Sequence, residues 1–534
     1  MSTRLKRWLR RGLWAVAGLL VLVGLFLGWA LLFCFAEPPE LDYEPAALAF
    51  EKPSAPGPDG RIHFGPNWFV PQKGRSLLSV EGDPFSLGYA NATLTRDYLA
   101  EQERSLFDTV AKFFPSKAAI YGIGLVVLVN NRNLPDYVPQ DYLEEIYGLS
   151  EAAVDLYPEF GPRYHRILNY HAAHDIGHWV YDKPVIGCTA FAVAGERLLV
   201  GRNFDFEAGS VFDENKIIAR FRPDRGYAFL SVAWPGMAGA VTGINERRIF
   251  CSLNGAHSAD KDNIGTPVSI VVRQVLQYAG TLDEAIAILT DAQVFVSDSF
   301  LLADGGNGTA AVVEKSPGRT AVRRMDDRVL LQANHFECAE FANDEGNREY
   351  MDVGTSVKRH RRLAQLVTTE MTPEKAVAIL RDTSGSDGTP LALGNRGAIN
   401  PCIATHSVVA DVTAGILWVS RGPHQLGAYD AYTIANFGEP IAPTIPASPL
   451  LERYEALQEA RALIEHGGRE QLIQALVLNP RDAEALVALA RLLEAAGETA
   501  DALRHYRAAL DAEPAFPSDV DEIQAAIARL SGDS

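Results

Sequence analysis

One cysteine of this chain stands among residues that could make it a nucleophile. The stretch VIGCTAFAVAGERLLVGRNFDF, residues 185–206, places Cys188 after Gly187 and ahead of an apolar alternation, then returns to Arg202 and Asp205. Its two halves read as a β-hairpin turning at Gly195 and Glu196. Side chains alternate across a strand, so the length of the turn decides which charge shares the face of the cysteine. A two-residue turn sets Cys188 opposite Asn203 with Asp205 on its face, and a three-residue turn exchanges Arg202 and Asp205. Either way, the remaining charge must reach the sulfur through a bulge or an irregular strand end.

A thiol at a strand start needs a base, and this hairpin contains no histidine. If the chain is cut between Gly187 and Cys188, the new α-amino group, with an ordinary pKa of about 7.7–8, takes the thiol proton. Asp205 then orients the ammonium, while Arg202 favours the thiolate and binds substrate oxygen.

These residues resemble the cysteine-type N-terminal nucleophile (Ntn) hydrolases, a family that includes penicillin V acylase, choloylglycine hydrolase and the acyl-coenzyme A:6-aminopenicillanic acid acyltransferases. The resemblance runs over about residues 79–423. GCTAF is similar to the family's self-cleavage site, which implies autocleavage between Gly187 and Cys188 and makes Cys188 the nucleophile. GRNFDF is similar to the segment carrying the accompanying arginine and aspartate, here Arg202 and Asp205. GINERRIFCSLNG resembles the hairpin that supplies an oxyanion-hole asparagine, here Asn254, and QANHF the segment with a further active-site asparagine, here Asn334. SVKRHRRL resembles a helix with a substrate-binding arginine that aligns best to Arg359, with Arg361 and Arg362 as neighbours in the same run. Asn254 before Gly255 also suits a turn, and Asn334 a cap. The resemblance implies an α+β fold, an αββα four-layer sandwich, acting on a linear amide without cofactor or metal.

A rival motif is HAAHDIGH, where His171, His174 and His178 fall near one helical face and the last two have the spacing of zinc proteases. Asp175 replaces the usual glutamate base, and no clear fourth ligand follows, so a structural helix is expected and no metal.

The elements around these residues follow from composition and periodicity. Of 534 residues, 47% are apolar and 22% charged, ordinary values for a folded chain, and the net charge of −18 excludes nucleic acid as a partner. MSTRLKRWLRR is followed by an uncharged run from Gly12 to Ala36. As a helix, residues 13–35 would be roughly 35 Å long, enough to cross a bilayer core of about 30 Å with the basic end in the cytoplasm. An uncleaved anchor is favoured by that length; a cleaved signal peptide is the alternative, and both export the body.

The chain then divides into a basic tail and anchor (1–36), a Pro-rich stalk expected to lift the body off the membrane (37–61), a helical region (62–187), the catalytic domain (188–437), a second Pro-rich linker (438–449) and C-terminal helices (450–534). In the last, ALVLNP at 475–480 recurs as ALDAEP at 509–514, a displacement of 34 residues that resembles tetratricopeptide repeats, suited either to covering the body or to binding a protein partner. Five scattered cysteines leave room for one disulfide among Cys251, Cys338 and Cys402. The expected activity is that of a self-processing amidohydrolase, anchored in a membrane and facing periplasm or exterior, acting on a small N-acyl amide. Acyl transfer to an amine, or a tethered scaffold with an inert enzyme fold, are the alternatives.

Overall fold

The computed structural model describes residues 3–114, 116–173, 175, 187–206, 209–439, 441 and 443–532. Helix α1 (Thr3–Phe33) stands away from the body, and its stretch Leu13–Phe33 is long and apolar enough to cross a membrane, with 6% of it buried.

Two sheets build the body. The larger has ten strands in the order β1 (Ile62–Phe64), β2 (Asn67–Val70), β3 (Ser76–Gly82), β6 (Ile217–Pro223), β7 (Phe229–Ala233), β8 (Thr242–Asn245), β9 (Ile249–Gly255), β10 (Asp298–Asp304), β11 (Thr309–Lys315) and β12 (Thr320–Arg324). The smaller has six, ordered β13 (Val329–Gln332), β4 (Thr189–Ala194), β5 (Leu198–Asp205), β14 (Ala404–Asp411), β15 (Ile416–Ser420) and β16 (Tyr429–Tyr432). Neighbours pair antiparallel throughout except β3 with β6, which run parallel.

The alternating side chains of β4 explain the layering. Ala190 and Ala192 point between the sheets, where they join Val200, Val408 and Val419 against Ile218, Leu230, Phe250 and Leu301. Phe191 and Val193 point outward onto Leu363 and Leu380. These two residues belong to α10 (Ser356–Leu366) and α11 (Pro373–Leu380), which cover the small sheet. The outer face of the large sheet packs against α2 (Pro84–Leu94), α5 (Gln140–Ala152), α6 (Arg163–His171), α7 (Val268–Tyr278) and α8 (Leu282–Asp291). Helix, sheet, sheet and helix make the αββα four-layer sandwich of the Ntn hydrolases. Between α2 and α5 run α3 (Arg96–Phe113) and α4 (Lys117–Asn130), and α9 (Glu345–Val353) precedes α10. Both faces of each central strand are covered, so burial is nearly continuous along β5 and β14.

Three expectations change. Residues 62–187 open with three strands rather than helix, and β3 joins the large sheet directly. Residues 37–61 are no free stalk but a strap tied to the body: Tyr43 Oη donates to Glu144 at 2.9 Å, Ala47 N–H to Ser86 Oγ at 2.8 Å, and Phe50 packs edge-on to Phe64. Prolines keep long helix out of this segment, leaving one 3-10 turn at Ala46–Ala49, yet its backbone still offers N–H donors to side chains. In the second Pro-rich stretch Ile445 exchanges two backbone hydrogen bonds with Tyr429, extending the small sheet.

Beyond it come α12 (Tyr454–His466), α13 (Arg469–Leu478), α14 (Ala483–Ala495), α15 (Thr499–Asp511) and α16 (Pro517–Ser531). Ala475 and Ala509, equivalent under the 34-residue displacement, are both fully buried in their helices. All five cysteines are free thiols, so no disulfide joins Cys251, Cys338 and Cys402.

Candidate active site

The β4–β5 turn holds three residues, because Ala194 pairs with Leu198 and Thr189 with Asn203. Continued by one step, this register sets Cys188 opposite Phe204 and puts Arg202 on the inter-sheet side with it. Asp205 has the other parity, and it reaches the site at an irregular strand end, where the β5–β14 register shifts between Ala404 and His406. Gly187 N–H donates to Asp205 O at 3.0 Å, so the pairing continues past the cysteine. A β-carbon on Gly187 would lie 3.6 Å from Arg396 Nη2 and 3.6 Å from Asp205 Cβ, ordinary van der Waals distances that place both residues beside this bond.

Cys188, Arg202, Asp205, Asn254, Asn334 and Arg359 are all buried and gather here. Burial pushes the Cys188 thiol up to about 11, opposed by the Arg202 and Arg359 guanidiniums and reinforced by the Asp205 carboxylate. An internal Cys188 is therefore protonated at neutral pH.

Arg202 is itself desolvated, which pulls it down to about 10, and it remains charged at neutral pH. Its Nη1 lies 2.9 Å from His406 Nε2, its Nη2 donates to Leu253 O, and its guanidinium stacks over Phe204 at 4.5 Å. Since an arginine only donates, His406 Nε2 is the acceptor and the ring proton sits on Nδ1. Burial and the neighbouring Arg202 charge hold His406 neutral, well below its ordinary range.

Helix α10 turns Arg359 inward and leaves Arg362 to pair with Asp382 at 2.9 Å, while Arg361 is exposed. Arg359 Nη1 donates to Cys188 O at 2.5 Å and Thr189 Oγ1 at 2.9 Å, and Nη2 to Asn334 Oδ1 at 2.6 Å. Its fork is spent on the protein's own oxygens, a geometry that fits positioning of the nucleophile better than contact with substrate.

The asparagines form a reciprocal clasp between the sheets. Asn254 Nδ2 donates to Ala333 O at 2.9 Å and Asn334 Nδ2 to Gly255 O at 2.8 Å. Asn334 Oδ1 holds Arg359, whereas Asn254 Oδ1 has no hydrogen-bond partner among the described residues. Asn254 Nδ2 carries a second proton beyond the one given to Ala333.

Sequence reasoning missed His406, Arg396, Tyr350 and His257. Tyr350 stacks on His257 with centroids 4.3 Å apart, and its hydroxyl, pushed up to about 12 by burial, feels Arg359, Cys188 and Arg396. Only HSVV in β14, with a polar residue in a buried run, gave a sequence signal for any of these.

The histidine motif resolves in part. His171 is fixed at both ring nitrogens, Nδ1 on Ile167 O at 2.8 Å and Nε2 accepting from Ala238 N–H at 2.9 Å, so neither faces a metal. His174 and His178 lie outside the described residues.

Residues 193–392 match the family model of acyl-coenzyme A:6-aminopenicillanic acid acyl-transferase. The match takes in Arg202, Asp205, Asn254, Asn334 and Arg359 and begins just after Cys188. Over that segment the chain resembles the acyltransferase branch of the Ntn hydrolase and acyltransferase superfamily.

An uncharacterized protein of Archaeoglobus fulgidus is 28% identical over 278 residues, 48% of this chain and 46% of its own. Protein dcd1B of Dictyostelium discoideum is 20% identical over 275 residues, 47% of this chain and 52% of its own. The chain thus spans about half the length of the curated relatives it matches.

Among solved structures, the Caenorhabditis elegans ortholog of N-acylethanolamine-hydrolyzing acid amidase is 18% identical, with a TM-score of 0.33 over 42% of this chain and 93% of that one. Penicillin V acylase from Agrobacterium tumefaciens is 16% identical, with a TM-score of 0.31 over 47% and 87%.

Proposed function

We propose that this chain is a membrane-anchored, self-processing cysteine amidohydrolase that cleaves the linear amide of a small N-acyl compound. The observation that carries the reading is the seat of the Gly187–Cys188 bond, with Gly187 N–H held by Asp205 O, Cys188 O held by Arg359, and three charges around one buried sulfur. Burial keeps the thiol of the unprocessed site protonated up to about 11, so the reading requires a base for it.

Maturation would supply one. Cys188 Sγ adds to the Gly187 carbonyl carbon, the C–N bond breaks, and the sulfur proton passes to nitrogen, leaving a thioester and a free amine. Water then hydrolyses the thioester to the Gly187 carboxylate and an N-terminal Cys188 thiol. In turnover the α-amine takes the thiol proton and Sγ attacks the substrate carbonyl. The second Nδ2 proton of Asn254 supports the oxyanion, and the ammonium protonates the leaving nitrogen. Water completes the cycle by hydrolysing the acyl-enzyme. Arg202, braced by His406 and Leu253 O, keeps its positive charge near the sulfur and favours the thiolate, and Asn334 with Arg359 positions the strand that carries it.

Basic residues ahead of Leu13 support a cytoplasmic N-terminus and a periplasmic or extracellular body. That orientation favours water over an amine acceptor, because acyl-coenzyme A is a cytosolic metabolite. The docking of α12–α16 on the body supports a covering role for these repeat-like helices.

The intact mass of the purified protein tests the proposal. Wild type should give two fragments meeting between Gly187 and Cys188, and Cys188→Ala a single inactive chain. Wild-type protein that is active while uncut at this bond would refute the mechanism.

A further inference from the structure

Helix α4 has the sequence KAAIYGIGLVVLVN and is apolar around its whole circumference between Lys117 and Asn130. A helix of that kind belongs in a core or in lipid. Yet of its side chains only Leu128 is buried; Val126 is 67% exposed and Tyr121 48%. At about 21 Å it is too short to cross a bilayer core of about 30 Å.

Its neighbours say what covers it. Leu125, Leu128 and Val129 pack on Ala30, Cys34 and Phe35, at the end of α1, whose preceding apolar surface is exposed along its length. Ala36 N–H then donates to His165 Nδ1 at 3.1 Å, so the body is tied to α1 at the point where the apolar run stops. Beside α4 lies an aromatic collar: Tyr121 stacks on Phe160 at 5.1 Å, and Phe107 stacks on Tyr157 at 3.8 Å and touches Phe160 at 5.2 Å. Aromatic rings and chain-end cations, here Lys117 and Arg132, are the side chains that settle at a lipid headgroup boundary.

We propose that α4 lies in the headgroup–acyl boundary of the bilayer beside α1, a second membrane contact that seats the body on the lipid surface. The inference rests on α1 crossing that bilayer. The occupant of the exposed face is lipid rather than a second copy of the chain, because the surface is continuous with the apolar surface of α1.

The test uses the full chain in phosphatidylcholine vesicles containing a lipid-phase carbene photoprobe, with labelled residues mapped by mass spectrometry. Label is expected on residues 117–130 as well as 13–33, and Val126→Cys should react with an aqueous maleimide several-fold more slowly than the same variant in urea. Label confined to 13–33 would overturn the proposal while leaving the anchor standing, and Val126→Cys cross-links between copies would then identify a second chain as the cover. Absence of label from both segments would show instead that the anchor reading itself is wrong.

Discussion

Helices flank the two sheets on both sides in sequence, but they are joined to them in different ways. Upstream, α2 and α5 approach so closely that a β-carbon on Gly88 would fall 1.8 Å from Glu145 O, and one on Gly148 2.0 Å from Phe85 O. Beneath them Arg273 forms a fully buried bidentate pair with Glu145, at 3.2 and 3.0 Å, donates to Ala238 O at 2.7 Å, and lies over the rings of Phe221 and Phe229. These helices share one core with the large sheet. Downstream, α13–α16 bury Leu472, Leu489, Leu493 and Tyr506 largely against one another. Their links to the body run mainly to backbone oxygens: Lys358 Nζ to Pro514 O and Ala515 O, Asn395 Nδ2 to Glu513 O, Asn479 Nδ2 to Leu393 O. One helical layer is part of the fold, and the other is a separate unit docked beside Arg359 and Arg396.

Breaking the buried pair should have the largest effect. Arg273→Leu strands the Glu145 carboxylate in the core and should destabilise the body by about 3–5 kcal/mol. Calorimetry would read this as a lower Tm for the body, with the C-terminal helices melting as before. Equal losses in both units would abolish the distinction.

Acid should separate the layers next. Burial pulls His165 and His171, both in α6, down to about 4 from an ordinary 6.5. A histidine with a depressed folded pKa is held neutral, so stability is whole above 6.5 and is lost as pH falls toward 4, because the unfolded chain takes the protons first. Protonation of His165 also removes the acceptor for Ala36 N–H. Hydrogen exchange across this window should rise in α6 and the strap before it rises in α12–α16, and the reverse order would count against the assignment.

The smallest effect should come from Lys358→Met, which removes two hydrogen bonds across the docking surface. A loss of about 1–2 kcal/mol is expected, confined to the attachment of the C-terminal helices. Limited proteolysis should release that unit faster, and turnover should fall modestly, since Lys358 adjoins Arg359. Unchanged proteolysis would show that apolar contacts such as Leu457 with Leu393 and Leu426 dominate the attachment.

What could be read from sequence was local. Cys188, Arg202 and Asp205 lie on one hairpin, and their grouping is legible whichever turn joins the strands. The turn length was not legible, since Gly195, Glu196 and Arg197 suit either geometry, and it decides which charge lies beside the sulfur. His406 comes from 204 residues beyond Arg202, and no periodicity announces a contact at that distance. Arg359 stood among three arginines, and only the helix phase distinguishes it. The strap was misread because proline content reports the absence of long helix and says nothing of whether such a segment packs. Helix α4 falls below the length at which an apolar run signals a membrane span.

The packed strap also bears on how an enzyme of the proposed kind would search. A flexible tether over residues 37–61 would let the body wander with a root-mean-square reach of about 25–30 Å. Pinned at Ala36, Tyr43 and Ala47, the strap removes that slack. If α1 spans a bilayer as proposed, a body held this way would keep one fixed tilt to the lipid plane, so its encounters with membrane-borne molecules would come by lateral diffusion in two dimensions, with the approach to Cys188 set at a constant height.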